Sequence, residues 1–148
     1  MKAEFPFVRF SVLSDFDVPT LAGDLLSVAS RAVVAKEDRD LPPLPTAVRA
    51  LDGRKVSIRG YMLPLEQHGE AVTRFILASS IDSCLVGGPA ATSRANEWVM
   101  VQMAGGHGVP FRKAVPTTVF GKFTISPKTI GDDLAALYHV TALAIVFH

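Results

Sequence analysis

Residues 55–62 read KVSIRGYM, and apolar side chains alternate with polar ones along this stretch. Val56 and Ile58 fall on the apolar phase, whereas Arg59 and Tyr61 fall on the other phase. A period of two is typical of a β-strand that buries one face. This stretch therefore predicts a half-buried strand, and the rest of the fold can be worked out from it.

Four further strands are predicted after this one. Pro64 is expected to end the first strand, because proline cannot donate a backbone hydrogen bond. The second strand follows a polar turn that contains Gly69, so the two strands form a hairpin. The later strands are predicted from alternating and β-branched residues, with one helical turn at residues 132–136 before the last. The four predicted strands cover residues 72–78, 97–103, 115–125 and 137–147.

Two glycines inside predicted strands, Gly60 and Gly121, favour bends in the sheet. Closing a small sheet on itself needs such bends and removes exposed strand edges. We therefore predict a mainly β protein, a small five-stranded antiparallel barrel of the oligonucleotide/oligosaccharide-binding (OB) type.

The N-terminal part is predicted to pack on this barrel. Residues 1–19 are extended in character and contain four phenylalanines, and residues 20–35 have helical spacing with Thr20 as the N-cap. We expect one globular unit made of an arm, helix and proline-rich connection over residues 1–45 and the barrel over residues 46–148. The phenylalanines pack either on this barrel or on a second copy, so a homodimer is one of two open arrangements.

The composition excludes several classes of function. The chain has 148 residues, 15 Lys+Arg against 14 Asp+Glu and a formal net charge of +1, which suits a single domain. This charge balance provides no general field to attract nucleic acid or anionic lipid, so neither is an expected partner. The single cysteine, Cys84, excludes an internal disulfide and every zinc module that needs several cysteines.

The five sequence blocks that follow occur in a characteristic order: LDGRKVSIRGYMLPL (51–65), RFILAS (74–79), Cys84, NEWVMVQM (96–103) and VFGKFTI (119–125). Taken together, they resemble an uncharacterised bacterial family, a domain of unknown function whose members are often exported or lipid-anchored. The resemblance implies an OB-like barrel with a segment before it and no established activity. Ser83 stands where many relatives have the first of two adjacent cysteines, so a paired-thiol role is not expected.

The sequence as it stands predicts a cytoplasmic protein. The N-terminus contains Glu4 and no continuous apolar run, unlike a secretory signal. The longest apolar stretch, residues 140–147, is much shorter than the roughly 20 residues that span a bilayer. The resemblance implies the alternative, a periplasmic or exported protein whose leader has been removed.

The long loop at residues 82–96 is the first candidate functional surface, because loops at the end of a barrel often shape a binding site. Cys84 in this loop is either a buried thiol or a reactive one. Cys84, His107 and Glu97 are candidate ligands for zinc or copper, to which thiolate and imidazole are suited. The histidines show no metal-binding spacing in the sequence, so such a site would have to be assembled by the fold.

Two further groups of residues are candidates for ligand binding. Asn96 either shapes the chain before the third strand or binds a ligand, and Trp98 belongs either to the core or to a shallow pocket. Arg59, Tyr61 and Arg74 fall on the outward phase of the first two strands, as in proteins that bind single-stranded nucleic acid. A solvated sheet face accounts for these three residues equally well.

The sequence contains no phosphate-binding loop, dinucleotide fingerprint or nucleophile elbow. We therefore predict a non-enzymatic binding or assembly module without a cofactor. Its loops at residues 82–96 and 104–110 would contact a protein partner or a small ligand. The alternatives are a metal-handling accessory protein that uses Cys84 with His107, and a single-stranded nucleic-acid binder.

Overall fold

The computed structural model describes residues 5–35, 43–80, 92–131 and 133–148. The fold is mainly β, as the sequence predicts. A 3₁₀ turn lies at Ala104–Gly106. Among the helices of the described ranges, none combines the length and the apolar composition of a bilayer-spanning segment. The elements are β1 (Phe7–Val8), α1 (Phe10–Ser14), β2 (Thr20–Ala22), α2 (Leu25–Val34), α3 (Thr46–Arg49), β3 (Lys55–His68), β4 (Ala71–Ala78), β5 (Thr92–Arg94), β6 (Trp98–Met103), β7 (Pro116–Ile130) and β8 (Asp133–Phe147).

Six of the strands form one mixed sheet in the order β1-β3-β4-β6-β8-β7, and β3 also pairs with β7. Five strands therefore form a closed ring, and β1 is attached to β3 at the end of the sheet. The pairs β1–β3 and β6–β8 are parallel, so the prediction of a purely antiparallel sheet is wrong. The reason is geometric, because strand direction cannot alternate around a ring with an odd number of strands. At least one neighbouring pair has to be parallel.

The hairpins are longer than the sequence predicts. β3 continues through Pro64 to His68, and its pairing with β4 shifts register between Pro64 and Glu66, an irregularity of the kind at which a sheet tolerates proline. The helical turn predicted for residues 132–136 is also wrong, since β8 begins at Asp133 and pairs with β7 from that residue.

Close packing of neighbouring strands accounts for both strand glycines. A Cβ atom at Gly60 would overlap the carbonyl oxygen of Ala78, and one at Gly121 would overlap the carbonyl oxygen of Thr141. The pairing of β7 with β8 also shifts register between Phe120 and Gly121, which confirms the predicted irregularity.

The interior of the ring holds the main hydrophobic core. The largest side chains there include Phe75, Phe123 and Tyr138, with the last two rings 5.3 Å apart between centroids. The Tyr138 hydroxyl donates a hydrogen bond of 2.7 Å to the carbonyl of Leu13, which ties α1 to the ring. Burial raises the pKa of Tyr138.

Helix α2 covers part of the outer surface of the ring and forms a second buried cluster. Its apolar side packs on outward residues of β4, β6 and β8, where strand alternation places Ile76, Trp98 and Ala136. The helix begins at Leu25, and Asp24 caps it by accepting the Ser27 amide at 2.8 Å, which lowers the pKa of the Asp24 carboxyl.

The predicted helix over residues 20–35 is therefore wrong at its N-terminal end, and Thr20 is not its cap. Residues Thr20–Ala22 form β2, which pairs with β5 in a separate two-stranded sheet. Gly23, with φ of +118°, lies between this strand and the cap residue Asp24.

The first residues of the arm pack on β3. The Ser57 amide donates to the carbonyl of Pro6 at 2.9 Å, and the Ser57 hydroxyl donates to the carbonyl of Phe5 at 3.0 Å. The Phe5 ring is buried edge-on against Phe120, with centroids 5.9 Å apart. This part of the arm is thus packed on its own chain.

Candidate functional site

An open groove lies where β1 and α1 meet the outer face of β3. Its volume is about 440 Å³, within the range of roughly 300–1,000 Å³ that is usual for ligand sites. We call it the arginine groove, and its lining residues are Phe7, Arg9, Phe10, Ser11, Arg59, Gly60, Tyr61, Ser79 and Pro116.

Strand alternation and the arm together bring the charged and aromatic residues into this groove. Arg59 and Tyr61 are outward residues of β3, two positions apart, so both side chains face the same side. Arg9 comes from the residue that precedes α1 and is exposed, like Arg59. The charged groups among the described lining residues are the two guanidinium groups of Arg9 and Arg59.

A second groove of about 460 Å³ also includes the β1 residue Phe7 in its lining, which is largely apolar. Val146 is 44% exposed there, and the Thr118 hydroxyl and His148 Nε2 form a hydrogen bond of 2.7 Å at its wall. We call it the apolar groove, and its lining residues are Phe5, Phe7, Ser57, Thr118, Phe120, Val146 and His148.

Phe7 belongs to both grooves. Its side chain is 59% exposed, whereas the side chain of the next residue on the strand, Val8, is buried. β1 is also the terminal strand in the order of the sheet. An exposed aromatic side chain between two grooves is the type of residue that anchors a binding partner.

Arg74, the third residue of the predicted basic face, lies elsewhere. Tyr61 is opposite Ala78 in the sheet, whereas Arg74 is opposite Glu66, about four residues or roughly 13 Å further along the strand. The intervening outward positions of β3 hold leucines that pack against the α2 cluster. The structure thus brings Arg59 and Tyr61 together but separates Arg74 from them.

Asn96 and Trp98 occupy buried positions. The Asn96 amide donates hydrogen bonds to the carbonyls of Phe16 at 2.7 Å and Ser14 at 3.4 Å, so it anchors the arm after α1. Trp98 is 1% exposed within the α2 cluster, and its indole N–H has no hydrogen-bond partner among the described residues. These contacts favour the structural interpretation of both residues over ligand binding.

The predicted metal ligands are not brought together where the structure describes them. Glu97 precedes β6 and the exposed His107 follows it, so a strand of roughly 20 Å separates them, whereas zinc ligands lie about 2 Å from the ion. Cys84 and most of the loop at residues 82–96 lie outside the described residues. Within the described ranges, no group of three or more His, Cys, Asp or Glu side chains could hold a metal ion.

Comparison with known proteins agrees with the resemblance found in the sequence. A family model described as "Protein of unknown function (DUF3299)" matches residues 26–145. The chain belongs to the DUF3299 family. A crystal structure of a DUF3299 family protein from Pseudomonas aeruginosa PAO1 has a similar fold, with a TM-score of 0.58 and 22% sequence identity over 97% of this chain and 96% of that chain. No curated protein matches this sequence.

The range matched by the family model includes only some of the residues that line the arginine groove. Arg59 and Tyr61 lie inside the range matched by the DUF3299 model, whereas Phe7 and Arg9 precede it. Phe7 and Arg9 were missed by the sequence analysis, because only the parallel pairing of β1 with β3 brings them to this surface. The one sequence signal for them was the density of phenylalanines in the arm.

Proposed function

We propose that this DUF3299 protein is a non-enzymatic binding module that holds an extended segment of a protein partner along β1. The observation that carries the proposal is Phe7, which is 59% exposed and lines both grooves. A segment lying across Phe7 would place one part of itself in each groove.

The chemistry of the two grooves defines the partner segment. Arg9 and Arg59 favour aspartate or glutamate side chains in the arginine groove, because a guanidinium group binds a carboxylate through paired hydrogen bonds. The apolar groove, with Phe120 and Val146, favours large apolar side chains. An extended segment can also add to the end of the sheet next to β1 by β-strand addition. The segment is thus acidic at one end and apolar at the other.

We further propose that the ring is an OB-type barrel. Counted along the chain, its five strands are arranged 1-2-3-5-4, with the third and fifth parallel. OB barrels bind oligonucleotides on the face of their second and third strands. Here those strands are β4 and β6, and α2 covers their outer face through contacts with Ile76, Trp98 and Met100. This cover favours a protein partner over single-stranded nucleic acid.

Selection of a random-peptide library against the full chain tests the proposal. We expect enrichment of peptides that combine acidic and large apolar residues. The Arg9→Glu/Arg59→Glu variant should weaken binding of the enriched peptide by about tenfold or more and shift the selection toward basic peptides. Its matched control is Arg31→Glu/Lys122→Glu, which makes the same charge change at two exposed positions outside both grooves.

Two results would contradict this function. One is an enriched peptide that binds the Arg9→Glu/Arg59→Glu and Phe7→Ala variants as tightly as the unaltered chain, measured by fluorescence anisotropy. The other is tight binding of labelled oligothymidine that the Arg9→Glu/Arg59→Glu variant abolishes, because the groove would then be a nucleic-acid site.

A further inference from the structure

A separate and smaller cavity lies beside the last turn of α2, on the outer face of the ring. Its volume is about 140 Å³, below the usual size of a drug-sized site, and a water molecule takes roughly 30 Å³, so it has room for a group of about four or five heavy atoms. The lining residues are Val33, Arg74, Met100, Gln102, Ser126, Lys128, Ala136, Tyr138 and His139.

Arg74 reaches this cavity from β4 and has a donor left over. Its Nη1 forms an ion pair of 3.0 Å with Glu66, and its Nη2 donates to the side-chain oxygen of Gln102 at 3.2 Å. Its Nε is buried and has no hydrogen-bond partner among the described residues. A buried donor on a cation is costly to leave unpaired, so this atom points to an acceptor that binds there.

Lys128 supplies a second cation from β7. Its ammonium donates to the carbonyl of Val33 over a long distance of 3.5 Å, and an ammonium group has three N–H donors. The Ser126 hydroxyl and the His139 ring from β8 lie on the same cavity. The described lining residues include no carboxylate. Glu66 does not line the cavity, but its carboxylate forms the ion pair with Arg74.

His139 reports the electrostatics of the cavity. Burial lowers its pKa, and the positive charges of Arg74 and Lys128 lower it further. The other elements that line the cavity place no additional charge on it, since α2 contributes Val33 and β6 contributes Met100 and Gln102. A bound anion would offset these two positive charges, so it would raise the pKa of His139 and make the imidazole easier to protonate.

We propose that this cavity binds a small oxyanion, the phosphate or carboxylate group of a ligand, between Arg74 and Lys128. The size of the cavity, its two cations and the unpartnered Nε of Arg74 all match such a group, and the Ser126 hydroxyl adds a further donor. This site shares no lining residue with the arginine groove or the apolar groove. It therefore does not depend on the proposed peptide function.

Nuclear magnetic resonance of the histidine rings, with inorganic phosphate or acetate added at constant ionic strength, tests the site. We expect the His139 signals to move in a saturable way, while those of the exposed His68 and His107 move little. The pKa of His139 should rise on binding, because the anion offsets the charges of Arg74 and Lys128. By linkage, the anion should bind more tightly as the pH falls through the pKa of His139 in the bound state.

Variants separate a specific site from general charge attraction. Lys128→Gln should raise the dissociation constant by about tenfold or more, the usual effect of losing a hydrogen bond to a charged group. Lys122→Gln on the same strand, an exposed residue outside the cavity, is the matched control and should leave it unchanged. Arg74→Lys keeps the charge but removes the Nε donor, and should also weaken binding.

Saturable binding of phosphate alone would assign the site to phosphoryl groups, and binding of acetate alone would assign it to carboxylates. Binding of both would support the shared oxyanion chemistry. The proposal is overturned if neither anion moves the His139 signals more than sodium chloride does. It is also overturned if Lys128→Gln binds the anion as tightly as the Lys122→Gln control, because the anion would then bind without the Lys128 cation.

Discussion

The outer surface of the ring has a covered sector, which lies under α2, and an open sector, which lies beside β1. Under α2, the outward residues of β4 and β6 include Ile76 and Trp98, and a helix covers them. Beside β1, the outward residues of β3 and β7 include Arg59 and Thr118, and the surface opens into grooves. Strand alternation is the same in both sectors. The comparison teaches that the residue types on the outward phase decide which part of a closed sheet is covered and which part is available for binding.

The largest expected effect comes from removing one large side chain in each sector. Trp98→Ala should lower the free energy of unfolding by about 3–5 kcal/mol, because the indole is 1% exposed and its loss leaves a cavity under α2. Phe7→Ala should lower it by about 0.5 kcal/mol or less, since that ring is 59% exposed. Urea unfolding measures both, and equal losses would break the distinction between a covered and an open sector.

A smaller effect is expected at the anchor of the arm. Asn96→Ala should cost about 1–3 kcal/mol, because the partly buried carbonyls of Ser14 and Phe16 lose the donor that the buried Asn96 amide supplies. Ser30→Ala is a suitable control, since its hydroxyl makes an exposed hydrogen bond to Leu26 within α2. Hydrogen exchange of the β1 amides should accelerate in Asn96→Ala and stay unchanged in the control. Unchanged exchange would show that the open sector is ordered without this anchor.

An effect smaller than those at Trp98 and Asn96 is expected at the start of the covering helix. Asp24→Ala removes the cap of α2 and should cost about 1 kcal/mol at neutral pH. The pKa of Asp24 is lowered in the folded protein, so its contribution is complete above the unfolded value of 3.8 and is lost as the pH falls through the lower folded value. The difference in unfolding free energy between Asp24→Ala and the unaltered chain should therefore shrink in acid. A difference that is the same at all pH values would contradict the capping role.

Local patterns predicted most of the strands and missed their ends. The polar turn that contains Gly69 located the second strand of the hairpin at residues 72–78, almost as β4 has it, because a turn between two strands is visible in the local order of residues. The sequence predicts that the strand ends at Pro64, yet β3 passes through this residue at an irregular pairing. The sequence predicts Thr20 as a helix cap, yet Thr20–Ala22 forms a strand that pairs with β5. In both cases pairing with another strand decided the outcome, with the hairpin partner β4 at Pro64 and the distant strand β5 at Thr20.

The residues of the arginine groove also differ in whether the sequence alone could identify them. The outward phase of β3 identified Arg59 and Tyr61, because residues two apart on a strand share a face whatever the strand packs against. Nothing in the sequence order places Arg9 beside Arg59. That neighbourhood arises from the pairing of β1 with β3.

The sequence by itself determined that the protein is mainly β, which residues alternate along its strands and which family it resembles. The tertiary structure decided how five strands close into a ring, which sector α2 covers and where charges converge. Arg74, Lys128 and His139 come from three different strands and meet only because the ring brings β4, β7 and β8 to one cavity. Side-chain periodicity is a local property of the chain, whereas strand order and ring closure depend on pairings between distant residues.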